Sequence, residues 1–220
     1  MDSPHTAARG EPRWISVPPD RIARWLAGFA DRHGEASYQA VADDVVIIAA
    51  DGARAECRVP FAPLVVDAAA PFGGLIAHAC AERTVGVLLV RLGGYAAGVF
   101  EGPRLVAAKV GSRPVHGRSA AGGWSQKRFA RRREMQSRTA YDAAAAAAAT
   151  VLLPSVANLQ AVVTGGDRRA VETVLRDPRL AALQPLVSKT LLDVPDPTRA
   201  VLMGSHDLFS AVRVRITEPA

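Results

Sequence analysis

Cysteine is scarce. The chain has two in 220 residues, Cys57 and Cys80, far apart and in no metal-ligand spacing. That excludes a disulfide scaffold and a zinc ribbon, and each thiol is expected to act as a small buried hydrophobe. No uncharged apolar run reaches the roughly 18 residues that a membrane-spanning helix needs. Residues 1–12 are polar and lack the apolar centre of a secretory signal, so a cytoplasmic protein is expected. The motifs of common catalytic sites are missing: there is no GxSxG, no GxxxxGK followed by Ser or Thr, and no HExxH. His5, His33, His78, His116 and His206 show no ligand spacing, so neither a metal nor a cofactor is expected. What is plentiful is apolar material, 49% of residues against 22% charged, enough for a buried core and too much for wholesale disorder.

Charge is unevenly distributed. Residues 1–110 carry 11 basic and 12 acidic groups, and residues 139–220 carry 8 of each. Residues 111–138 carry 8 basic groups (Arg113, Arg118, Lys127, Arg128, Arg131, Arg132, Arg133 and Arg138) against Glu134 alone, a net charge of +7. At the chain average that stretch would hold about 3 basic groups. A concentrated cationic patch on a neutral body attracts polyanions, and arginine's planar fork grips phosphate and stacks on bases. A solvated helix face is the plain alternative, but such a face pairs opposite charges at i,i+4, and acid is sparse here. An anionic membrane fits less well, because no Trp/Phe/Leu face accompanies the charge.

Along the chain, Pro18-Pro19-Asp20 predicts a helix start, and Ile22, Trp25, Leu26 and Phe29 form an apolar stripe. Short strands are expected at 38–42, 45–49 and 53–59, with Asp51-Gly52 as a hairpin turn, and a short helix at 74–82. Trp14 and Trp25 are expected to pack this region onto the core. Val85–Leu92 is a continuous apolar run, as in a strand covered on both faces. Gly93-Gly94 and Gly102-Pro103 turn it into a meander with 95–101 and 105–110. A long helix is expected from Lys127 to about Ala149, its second half seven consecutive alanines. A strand at 159–164 follows, then a helix capped by Asp167. A short element at 186–192, a helix at 198–209 and an edge strand at 212–216 complete the chain. The expected fold class is α/β (α+β): a ribonuclease-H-like mixed sheet flanked by helices in a domain spanning 85–220, with an N-terminal α+β extension spanning 1–84.

Between the meander and the long helix lies a glycine-rich loop, 117–126, with Gly117, Gly122 and Gly123 around small residues. Without large side chains it is expected to be mobile. It runs into a helix start, where N–H groups and the dipole favour anions. His116 lies beside it, within reach of a phosphate. Gln126 does not titrate, so it is no general base, but it can orient a water or a ribose hydroxyl. Positioning and electrostatics suffice when the substrate supplies the reactive groups. The candidate nucleic-acid-contacting residues, RNA-binding under the resemblance given next, are Arg118, Trp124, Lys127, Arg128, Arg131, Arg132 and Arg133.

The run Gly122-Gly123-Trp124-Ser125-Gln126-Lys127-Arg128-Phe129-Ala130-Arg131-Arg132-Arg133-Glu134 resembles the Vms-like release factor family, in particular its actinobacterial branch. Its members are peptidyl-tRNA hydrolases related to the middle domain of the eukaryotic and archaeal class I release factors. That domain is ribonuclease-H-like and carries a Gly-Gly-Gln loop. The resemblance covers roughly 85–216. It implies that Gln126 is the catalytic glutamine, positioning water at the ester between nascent chain and P-site tRNA, with Gly122 and Gly123 supplying backbone freedom. It implies that Lys127, Arg128, Arg131 and Arg132 lie against phosphates of tRNA or large-subunit ribosomal RNA. No membrane or DNA partner is implied. The sequence departs from the Gly-Gly-Gln pattern, since Trp124 and Ser125 intervene. Trp124 can stack on a base, worth about 1–3 kcal/mol, or plug the helix start. The chain is too short for a stop-codon-reading domain, which implies rescue of stalled complexes independent of stop codons. Two alternatives stand beside hydrolysis of the ester: a tRNA 3′-end endonuclease acting on peptidyl-tRNA, and a non-catalytic RNA- or ribosome-binding module.

Overall fold

The computed structural model describes residues 11–91, 93–112 and 125–219, with the backbone alone for 125–136. A short strand, β1 (Arg13–Val17), precedes helix α1 (Pro19–His33). Proline opens α1 because its φ suits a helix and its missing N–H is one the first turn leaves unpaired anyway. Asp20 in the first turn and Arg32 in the last oppose the helix dipole. Ile22, Leu26 and Phe29 are buried, and Trp25 packs half-buried against the same cluster. Strands β2 (Ala36–Ala40), β3 (Asp44–Ala49) and β4 (Arg54–Arg58) form an antiparallel meander. Gly52, at φ 92°, turns the β3–β4 hairpin, and Asp51 Oδ1 accepts the Ala53 N–H at 2.9 Å. Helix α2 (Leu75–Cys80) follows a long connection.

A second sheet begins with β5 (Thr84–Arg91), β6 (Gly94–Glu101) and β7 (Arg104–Ser112), all antiparallel. Val85 to Val90 are buried without interruption, so β5 is covered on both faces, as its apolar run predicts. Next come α3 (Ser125–Leu152), β8 (Ala161–Gly166) and α4 (Arg168–Leu175). Asp167 caps α4, accepting the Ala170 N–H at 2.9 Å. The predicted short element is β9 (Val187–Leu192), which pairs parallel to β8, as β8 does to β5. The sheet order is β7-β6-β5-β8-β9. This is the expected ribonuclease-H-like mixed sheet: α3 and α4 pack on one face, and Leu202 of α5 (Arg199–Ser210) lies against Gly98 on the other.

The last strand, β10 (Val212–Thr217), joins the first sheet, whose order is β1-β10-β4-β3-β2. The chain divides into one unit of 1–81 with 207–220 and another of 82–206. The sequence places a boundary at 84/85; the chain passes from the first unit to the second between 81 and 82, and residues 207–220 return to the first. Nor is β10 an edge strand. It pairs with β1 on one side and β4 on the other. Its alternation of apolar and basic residues reflects one covered face: Val212, Val214 and Ile216 are buried beneath α1 and α2, while Arg213 and Arg215 occupy the opposite face. Strand β1 carries only Trp14, Ile15 and Val17 as apolar residues, too short a pattern to stand out in sequence.

Candidate nucleic-acid interface

Helix α3 has 28 residues, about 42 Å of axial rise. Its second half is anchored. Ala140, Ala144, Ala145, Ala147 and Ala148 are buried, followed by Val151 and Leu152, and the helix contacts β6 and β7. Alanine at these positions lets the helix backbone approach the sheet closely, which accounts for the seven-alanine run. Gln126 stands 14 residues upstream of Ala140, about 21 Å along the axis. No acidic residue lies in the first turn. The helix's unpaired N–H groups and its positive dipole end are therefore not offset by a carboxylate of that turn.

The helix begins two residues earlier than predicted. Ser125 and Gln126 belong to its first turn instead of to the preceding loop. Lys127, Arg128, Arg131, Arg132 and Arg133 follow within the same helix, so the backbone places all five on one element with Gln126. Their side chains, and the residues Arg118, Gly122, Gly123, Trp124 and His116, lie outside the described residues. Arg138 is the one basic residue of the cationic stretch whose side chain is described. It is exposed and makes no ion pair among the described residues.

Sequence reasoning missed a cleft beside this segment. A cavity of about 400 Å³ is lined by Arg138, Tyr141 and Asp142 of α3, Thr173 of α4, and Arg176 and Asp177 just beyond it. Burial first, and the Asp167 carboxylate second, raise the Tyr141 phenol above its ordinary range. Asp177 is held at about 2 because Arg179 donates to it from side chain and backbone, with Nη2 to Oδ2 at 2.6 Å and Nε to Oδ1 at 2.8 Å. The lining holds two arginines and two aspartates, so this cleft carries no strong charge of one sign. Nothing in the sequence spacing marks it, because its lining comes from two segments far apart in the chain.

The sheet itself carries little ionic chemistry. The β8 sequence, Ala161 to Gly166, has no carboxylate, and Glu101 at the end of β6 is engaged by Arg104 at 2.7 Å. Among the described residues no group of three or more His, Cys, Asp or Glu comes together. No described helix is long and apolar enough to cross a membrane.

A family model described as the actinobacteria/chloroflexi VLRF1 release factor matches residues 83–215. That range runs from the start of β5 into β10, close to the 85–216 over which the sequence resembles a release factor group. Among solved structures, an archaeal translation termination factor, aRF1, is similar at 14% identity and a TM-score of 0.43, over 89% of this chain and 63% of its own length. A structure described as an archaeal protein is similar at 12% identity and a TM-score of 0.41, over 93% of this chain and 68% of its own. No curated protein matches the sequence.

Proposed function

The chain belongs to the actinobacteria/chloroflexi VLRF1 release factor family, and from that premise we propose that it acts at the ribosome as a peptidyl-tRNA hydrolase, freeing nascent chains from stalled complexes without reading a stop codon. The observation that carries this reading is the build of α3: Gln126 in the first turn, five cationic residues in the turns behind it, and an alanine half buried against the sheet. A rigid stem of this kind suits insertion of an uncharged amide into an RNA-lined cavity. Its charges are matched to phosphate.

In the proposed reaction Gln126 orients a water against the ester carbonyl carbon. The water oxygen bonds to that carbon, the bond to the ribose 3′ oxygen breaks, and a proton passes to that oxygen. The products are a free peptide and a tRNA with an intact 3′ end. The glutamine neither gains nor loses a proton, since its amide does not titrate. Its contribution is placement, together with hydrogen bonds that strengthen as charge develops. Lys127, Arg128, Arg131 and Arg132 hold the stem against tRNA or large-subunit RNA phosphates, and Gly122 and Gly123 let the chain before it adapt. The site of action is the cytoplasm.

The test is product analysis. Stalled ribosomes carrying labelled peptidyl-tRNA are incubated with wild type and with Gln126→Ala. Free peptide plus intact tRNA from wild type, with release slowed on the order of 10²-fold in the variant at unchanged binding, is the expected result. Peptide still carrying a tRNA fragment would replace this reading with a nuclease. Binding without any product from wild type would replace it with a non-catalytic module.

A further inference from the structure

The first unit has a charged surface that no contiguous stretch of sequence reveals. Helices α1 and α2 cover one face of its sheet. On the other face the strand register brings together Arg213 and Arg215 of β10, Arg54 and Arg58 of β4, and Trp14 of β1. Arg213 lies directly opposite Arg58, and Arg215 opposite both Trp14 and Glu56. Trp14 is 43% exposed, contrary to the packing role its sequence context predicts. The Arg213 guanidinium stands 5.0 Å from its ring centroid and that of Arg58 5.5 Å.

Two like charges directly opposite on neighbouring strands destabilise a sheet. The usual remedy is an intervening acid. Glu56 pairs with Arg54 at 2.9 Å and Arg215 at 3.7 Å. Asp44 lies across from Arg58 in register, yet neither Arg58 nor Arg213 makes an ion pair among the described residues. Their shared contact with Trp14 offsets part of the repulsion. A local rule broken without full compensation points to a ligand that completes the site.

We infer that this open sheet face is a second RNA-binding surface, which takes a single strand through its phosphates and stacks a base on the Trp14–arginine platform. Charge complementarity selects a polyanion. Arg213 and Arg215 are about 6.8 Å apart along β10, and strands lie about 4.8 Å apart, so the guanidiniums form a two-dimensional array for an extended backbone. The exposed aromatic selects a polyanion that also carries rings to stack. A membrane fits poorly, because two guanidiniums already occupy the surroundings of the Trp14 ring. The choice of RNA over DNA rests on the release factor reading; the surface itself does not.

The experiment titrates the full chain against a fluorescent single-stranded oligouridine across a range of potassium chloride concentrations. Arg58→Gln combined with Arg213→Gln is expected to weaken binding about tenfold at low salt. It should also flatten the slope of log affinity against log salt by about 1.4, two phosphate contacts at about 0.7 each. Arg58→Lys with Arg213→Lys is expected to retain the slope. The Gln pair is repeated in a background carrying Arg128→Glu, Arg131→Glu and Arg132→Glu, where the same loss is expected because the two surfaces act separately. Unchanged oligouridine binding in both backgrounds overturns the inference. So does tighter binding to phosphatidylserine vesicles or to polyglutamate than to RNA. Gln126→Ala leaves this binding untouched, so failure of the hydrolase reading and failure of this surface give different results.

Discussion

In the second unit the basic residues are neighbours along the chain, Lys127 to Arg133 on a single helix. In the first they arrive from separate segments, Arg54 and Arg58 from β4 and Arg213 and Arg215 from β10, with Trp14 from β1. The first kind of patch is encoded locally. It persists wherever α3 is helical, and even an unfolded stretch keeps its net charge. The second kind exists only while β10 sits between β1 and β4. On the two proposals above, RNA affinity of the first unit is a readout of its folded state, and that of the second is not.

Val214→Asp tests this contrast most severely. Val214 is fully buried in the core of the first sheet, and a carboxylate there is unpaired. A loss of about 4 kcal/mol is expected in urea denaturation. Oligouridine binding should fall to that of the Arg58/Arg213 variant, while the α3 contribution survives. A smaller effect is expected from Ala148→Leu, which overfills the close contact of α3 with its sheet. Destabilisation of about 2 kcal/mol is expected by thermal melting, with little change in oligouridine affinity, because the stem charges stay in place. A large fall in affinity would mean that anchoring of α3, and not its charge alone, sets binding.

The smallest effect concerns an arginine already occupied. Arg179 is fastened to Asp177, unlike Arg58, Arg213 and Arg138. Asp177 titrates near 2 in the folded chain, below the ordinary aspartate value of about 3.9. The pair therefore contributes stability that is present above about pH 4 and is lost as pH falls toward 2. Melting curves of Asp177→Asn should show less acid sensitivity than wild type across that window, with unchanged oligouridine binding at neutral pH.

Much of the second unit was legible because its signals are local. The apolar run of β5, the glycines that turn the meander and the side chain of Asp167 each act within a few residues. The alanine run of α3 announces a helix. Strand β1 was not legible, since five residues with three apolar ones carry no period. The strand at 212–216 was recognised, but its place was not. Alternation reports one covered face and is silent about which neighbours flank the strand. For the same reason the sequence around Trp14 suggests packing: its surroundings are set by Arg58 and Arg213, 44 and 199 residues away in sequence. The candidate site was legible as charge, glycine and a glutamine, whereas the start of α3 at Ser125 came from the structure.

The position of β10 inside its sheet, between β1 and β4, bears on how the protein is made. The second unit, 82–206, is complete in the growing chain before residues 212–217 are synthesised. Strand β1 must wait for a partner some 200 residues downstream. Closing so long a loop is slow relative to local pairing. The ribonuclease-H-like unit can thus mature first during translation, while β2–β4 form a provisional hairpin layer with an unpaired margin on β4. Newly made chains would pass through a stage in which that margin is open to misplaced strands, and the arrival of Val212–Thr217 ends it.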